Sequence, residues 1–300
     1  MSRAQLAAGA LLTMAALAAC ASAPPPADPA RTPPVTTTGG GQPAATGSAT
    51  RPATRPAPRP RAVLRHIRMP DGNRVTLAIF RGPVRYVLHS GSQDPGSAAL
   101  AVVHAGPRIG RPERRRLIAA FNGGFKLSAG AGGYEQEGHV ISRLRRGLAS
   151  LVIDRSGHAS IGVWRAGLPR PGEAVSSVRQ NLRLLVAHGR VSRAARRWAL
   201  WGATITGGEF VARSALGENS AGDLIFAGSM SASPADLAGA LVRAGARVAM
   251  ELDVNPEWVQ LDTARKAGRR LRAAIPGQVR PASQYLTGWT RDFIAVVAGH

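Results

Sequence analysis

Apolar residues along this chain fall into short runs of Val, Ile and Leu cut by Gly, Pro, Asn or Asp. That punctuation is the signature of a domain built largely from strands. The runs predict strands over 74–80, 84–89, 100–104, 139–144, 150–154, 159–164, 182–187, 223–227, 247–252 and 293–297. The stretch Asp154-Arg155-Ser156-Gly157 between two of them reads as a hairpin turn. Helical signals are fewer. Ser233 as N-cap, Pro234 at the first helical position and Gly245 as the stop bound a helix over 234–244, and Ala235, Leu237, Leu241 and Val242 give it an apolar face. A second helix is expected over 112–119, with its arginines on the wet side. No internal repeat is evident. The expected fold class is α+β, a single domain with a mixed β-sheet core and helices packed on it.

Ahead of residue 63 the pattern changes. Arg3 precedes an apolar run over 6–19, too short to span a bilayer comfortably, which ends in Leu17-Ala18-Ala19-Cys20. Residues 1–20 therefore read as an export signal, and its ending resembles the lipobox of bacterial lipoproteins, which implies lipidation at Cys20. The other reading is an ordinary secretory signal cleaved near Ala21-Ser22-Ala23. Cys20 is the only cysteine, so it has neither a disulfide partner nor a companion thiolate for a metal site. Residues 21–62 are dominated by Pro, Ala, Thr, Gly and Arg, a composition that cannot bury enough surface to fold and that suits a semi-extended tether. The remainder, 63–300, has the length of one globular domain.

Charge narrows the partners. The chain carries 39 basic residues against 17 acidic ones, a formal charge of +22, and every basic residue but Lys126 and Lys266 is arginine. Such usage fits a GC-rich genome. It also fits attraction to phosphate-bearing polymers or anionic lipid. Nucleic acid is discounted, because an exported chain rarely meets it and no aromatic-interleaved or helical basic motif is present.

With acids so scarce, their clustering past an apolar run needs a reason. Glu251, Asp253 and Glu257 crowd one strand end, interleaved with Asn255 and Trp258. In an extended chain Glu251 and Asp253 share a face, roughly 7 Å apart, where two carboxylates can act as acid and base. Pairing with nearby arginines is the plainer alternative. Asn122-Gly123-Gly124-Phe125 follows another apolar run, and its glycines suit an anion-binding nest or a tight turn. Arg179, with Asn181 beside it, and Arg213 have the right donors for phosphate and sugar hydroxyls, or are partners of Glu251 or Glu257. Trp258, Tyr134 and Trp201 are candidate sugar-stacking rings. The loop containing Gly130, Gly132 and Gly133 is a candidate lid. The seven histidines are scattered without zinc-hydrolase spacing, and no Gly-x-Ser-x-Gly elbow or Walker loop is present.

In order along the chain, these groups resemble the phosphodiester glycosidase family. The family's Asn-Gly-Gly-Phe element matches residues 122–125, its Leu-Val-x-x-Gly stretch matches 185–189, and its Arg-x-x-x-Gly segment matches 213–217. Ala221-Gly222-Asp223 matches an Asp-Gly-like turn, and Leu252-Asp253 opens the family's Leu-Asp-Gly-Gly-Gly-Ser motif. Here the glycines and serine are replaced by Val254, Asn255, Pro256 and Glu257, so Asp253 carries over while Glu251, Asn255 and Glu257 do not. The resemblance spans about residues 70–298 and points to a divergent, actinobacterial-like subgroup. It implies a hydrolase cleaving the bond between an anomeric carbon and a phosphate. Arg213, with Arg179 second, would neutralise the phosphate, the Asn122-Gly123-Gly124 backbone would orient it, and Asp253 or Glu251 would activate water or steady the sugar cation. No cofactor is expected, and a divalent cation is left open. The implied partners are a phosphorylated carbohydrate or cell-wall polymer, and the membrane through Cys20. A non-catalytic envelope lipoprotein binding phosphorylated wall polysaccharide is the rival expectation.

Overall fold

The computed structural model describes residues 59–204, 206–265 and 270–299. The predicted signal 1–20 with Cys20, and all but the last four residues of the predicted tether 21–62, lie outside them. The first strand, Arg61–Arg68, starts two residues ahead of position 63.

Three sheets of seven, six and five strands make the domain. The seven-stranded sheet runs in the order Arg61–Arg68, Arg74–Arg81, Leu224–Ala232, Val211–Asn219, Ala246–Glu251, Leu184–Ala187, Arg190–Val191. The six-stranded sheet runs His139–Ser142, Tyr134–Gln136, Val175–Gln180, Ala149–Asp154, Ala159–Trp164, Gly167–Leu168. The five-stranded sheet runs Arg270–Ala273, Leu261–Arg265, Leu117–Asn122, Phe293–Ala298, Val84–His89. Pairing between these strands is antiparallel except where Gly167–Leu168 lies parallel to Ala159–Trp164.

Strand alternation explains the long apolar runs. In the large sheet Ala78, Phe80, Leu216, Phe226 and Met250 face a core shared with Leu88, Phe121 and Ile294 of the five-stranded sheet and Leu151, Ile153 and Ile161 of the six-stranded one. Their neighbours Leu77, Ile79, Ala215, Ile225 and Ala249 face the other way, onto Leu237, Ala238 and Leu241 of the helix Pro234–Arg243. A strand covered on both faces is apolar on both, except where its polar side chains find buried partners. The helix is set by its capping box: the Ser233 side chain accepts from Asp236 N, and the Asp236 carboxylate accepts from Ser233 N.

The α+β expectation with helices packed on the sheet is overturned. Among the described residues only Pro234–Arg243 reaches ten residues, and the other α-helices, Ser97–Leu100, Arg111–Arg114 and Gln284–Thr287, have four each. This is a β-rich domain with one covering helix. Two local expectations fall with it. The segment read as a helix over 112–119 turns helical only at Arg111–Arg114, because Leu117, Ala119, Ala120 and Phe121 are buried in a central strand between two partners. The run read as a strand over 100–104 instead begins in turns of Leu100 N to Gly96 O and Ala101 N to Ser97 O, and none of its residues is buried. The hairpin at Asp154 forms as expected, with Gly157 at φ 83 and Asp154 accepting from Ser156 N.

Candidate functional site

All three sheets contribute to one centre. The central strand Leu117–Asn122 ends at Asn122, opposite Phe293, so that Gly123 N donates to Asp292 O at 2.8 Å. From the seven-stranded sheet comes Ser214, which ties the two sheets together. Its Oγ accepts from Asn122 Nδ2 at 2.9 Å and from Asp253 N at 3.1 Å. Asp253, two residues past the strand Ala246–Glu251, is locked by this clasp and by the Ser214 N–H donating to its carbonyl at 2.9 Å. From the six-stranded sheet, Asn181 donates through Nδ2 to the carbonyls of Glu251 and Leu252, both at 2.9 Å, and so clamps the same strand tip.

The Asp253 carboxylate is the focus. Oδ2 lies 2.7 Å from Arg291 Nη1, while Oδ1 accepts from Val254 N at 2.7 Å and Asn255 N at 3.0 Å. Burial pushes its pKa up to about 6, against the pull of Arg291 and the two amides. Arg291 is fixed in turn by donating to Gly124 O at 3.1 Å and by lying 5.4 Å over the Trp258 ring. Its buried Nε has no protein partner. Asp253 and Arg291 both face a hollow of about 550 Å³, whose lining includes Lys126, Asn255, Phe125, Leu182 and Val254. They also face a recess of about 10 Å³, near the size of one water, shared with Asn122, Gly123, Gly124 and Trp258.

Several residues singled out in the sequence lie elsewhere. Glu251 and Arg213 form an ion pair at 2.7 Å with both side chains fully buried, and Arg213 Nη1 also donates to Trp201 O at 3.1 Å. Neither lines the hollow or the recess. Along an extended strand Arg213 and Ser214 point to opposite faces, and only Ser214 faces the centre. Burial outweighs the attraction of Arg213 and raises the Glu251 pKa. Arg179 is equally sealed: its Nε donates to Asp292 Oδ2 at 2.7 Å, Nη1 donates to Gln180 O at 2.9 Å, and Nη2 bonds Phe125 O.

This buried pair explains the glycines. A Cβ on Gly123 would come within 1.9 Å of Asp292 Oδ2, and one on Gly124 within 2.9 Å of Arg179 Cζ. The Gly124 amide is already directed at Asp292 Oδ2, at 3.3 Å. The turn is therefore shaped by the ion pair beneath it rather than opened as an anion nest. Gly124→Ala is expected to cost about 1–3 kcal/mol through overpacking, read as a lower urea midpoint at unchanged slope.

Asn255 reaches the hollow and accepts from Glu257 N at 2.9 Å. Glu257 turns outward to pair with Arg280. Trp258 borders the recess and stacks on Trp289 with centroids 5.4 Å apart. Tyr134 and Trp201 are fully buried and present no ring to a sugar. Of the loop read as a lid, Gly132 and Gly133 are packed, where Cβ atoms would meet Gln180 at 2.6 Å and Arg143 O at 2.3 Å, while Gly130 is exposed at the lining of the hollow with nothing within 4 Å of its Cβ position. Among the described residues no group of three or more His, Cys, Asp or Glu is placed to hold a metal ion.

Sequence reasoning missed Lys126, Arg291 and Asp292. The signal for the last two was available, since Arg291 and Asp292 abut the apolar strand Phe293–Ala298 just as Asp253 follows Ala246–Glu251. Lys126 is one of two lysines in an otherwise arginine-only basic set.

These elements define a β-rich, three-sheet domain with an acid–guanidinium centre at the junction of its sheets. The same fold, at a distance, is found in the catalytic domain of zebrafish N-acetylglucosamine-1-phosphodiester alpha-N-acetylglucosaminidase, a structure described as auto-inhibited by its pro-peptide: TM-score 0.51, 14% identity, 83% of this chain and 85% of that one covered. A hypothetical protein from Synechocystis matches with a TM-score of 0.42 and 13% identity over 81% of this chain and 64% of that one. No family model matches the sequence, and no curated protein matches it.

Proposed function

We propose that this protein is an extracytoplasmic hydrolase, lipid-anchored through Cys20, that cleaves the glycosidic bond of sugar phosphodiesters in envelope or scavenged glycans. One observation carries the reading: a carboxylate with a pKa of about 6, Asp253, is held by Arg291 in the wall of a 550 Å³ hollow whose lining also includes Lys126. The shared fold with a phosphodiester-cleaving glycosidase domain supports the substrate class. The ordered sequence motifs support it independently.

In this scheme Asp253, ionised near neutral pH, takes a proton from a water molecule as the water oxygen bonds to the anomeric carbon. The bond from that carbon to the phosphate oxygen breaks, and its electron pair leaves with the phosphate monoester. Phosphate is a stable leaving anion, so no strong acid is required on that side, unlike an ordinary glycoside. Lys126, exposed among the lining residues, supplies positive charge for the departing phosphate, and Arg291 keeps the Asp253 carboxylate oriented. Glu251, Arg213 and Arg179 hold the framework.

The test is release of free reducing sugar from a panel of sugar 1-phosphodiesters by purified protein. Turnover on at least one member is the expected result. Salt-sensitive binding without product across the panel would favour a phosphopolymer-binding envelope protein instead.

A further inference from the structure

We propose that the hollow beside Asp253 accepts a phosphate ester whose alcohol portion is an apolar chain. The inference rests on the hollow's being the substrate site and names the kind of group that leaves it.

The lining is split by chemistry. Its polar members are Lys126, Asp253, Asn255 and Arg291. The others include Phe125, Ala131 and Val254, which form a small apolar cluster of their own, and Leu182, which packs against that cluster and also against the core under the helix. Phe125, Ala131 and Val254 each remain 8% exposed. Two features show that this wall is built. Leu182 sits at φ 50, a left-handed conformation that leucine rarely adopts, with its N–H donating to Ala131 O at 2.8 Å and its carbonyl accepting from Ala149 N at 3.0 Å. Asparagine or glycine would fit that backbone with less strain, yet the chain keeps an apolar side chain there. Gly202, at φ 95, leaves the space its Cβ would take to the Phe125 ring, 2.7 Å away.

Val254 completes the wall at the position following Asp253. A second sugar placed against these side chains would leave its hydroxyls unpaired, whereas an alkyl or acyl chain needs only area. The adjoining cations suit the phosphate. The volume, about 550 Å³, is within the range of small-molecule sites.

The test is calorimetric titration of the protein with inorganic phosphate and with ethyl, butyl and hexyl phosphate at constant pH and salt. Burial of each methylene predicts affinity rising roughly fourfold per carbon until the wall is covered. Leu182→Asn, compatible with the left-handed backbone, is expected to reduce the gain per carbon, with Phe125, Ala131 and Val254 keeping the rest of the wall. Equal affinity across the series, or a gain per carbon as steep in Leu182→Asn as in the wild type, overturns the proposal. Absence of binding for every member, phosphate included, overturns the hollow as an anion site as well and so separates the two failures.

Discussion

Asp253→Asn is expected to lower kcat for a sugar 1-phosphodiester on the order of 10³-fold, the scale of a lost general base, with KM changed little. The substitution is conservative in every other respect. An asparagine oxygen still accepts from the Val254 and Asn255 amides, and the backbone clasp to Ser214 is untouched. What disappears is the negative charge beside Arg291 and the site for a proton. The wild-type profile should show the same group: because the ionised form is the active one, kcat rises with pH and levels off above the carboxyl's pKa of about 6. A flat profile together with an unimpaired Asp253→Asn enzyme would remove Asp253 from the chemistry.

Arg213→Ala is expected to lower stability by about 3–5 kcal/mol at a pH where Glu251 is ionised, because it strands the fully buried carboxylate without its partner, and by less where Glu251 is protonated. Glu251→Gln should cost a comparable amount, since the amide oxygen can still accept from Arg213 but the guanidinium is left buried without its counter-charge. The pH dependence has a defined sign. The folded-state pKa of Glu251 is raised by burial, so the native state binds the proton more tightly than the unfolded chain. Stability from this group is full at acid pH and is lost as pH climbs from the unfolded value through the raised one. Urea midpoints of the wild type should therefore fall over that interval, and the slope should flatten in Glu251→Gln. Equal midpoints for Arg213→Ala and the wild type would mean that the pair holds nothing together.

The parts of the fold that were legible in the sequence were those whose reasons are local. Arg74–Arg81, Phe293–Ala298 and the capped helix Pro234–Arg243 announce themselves through continuous apolar runs or capping residues. Val175–Gln180 and Val211–Asn219 did not, because they carry Ser177, Arg179, Arg213, Ser214 and Glu218 into the interior. Those polar groups are paid for by partners far along the chain: Asp292 for Arg179, Glu251 for Arg213, Asn122 for Ser214. A local window does not single out the partner, although pairing of Arg213 with Glu251 is one of the readings it leaves open. The same blindness shaped the reading of the centre. Asp253, Asn122 and the two glycines converge as read, whereas Arg213 and Arg179 read either as phosphate ligands or as partners of Glu251 or Glu257; Arg213 does pair with Glu251, and Arg179 pairs with Asp292. Arg291, the guanidinium that does reach Asp253, lies 38 residues further on in an unremarked stretch.

The central claim is that water attacks a sugar carbon beside Asp253. Hydrolysis of a sugar 1-phosphodiester in ¹⁸O-labelled water, followed by mass spectrometry of both products, tests it most directly. The account predicts the label in the sugar and none in the phosphate monoester. Label in the phosphate would contradict it, because the bond broken would then be phosphorus–oxygen and the hollow would belong to a different chemistry.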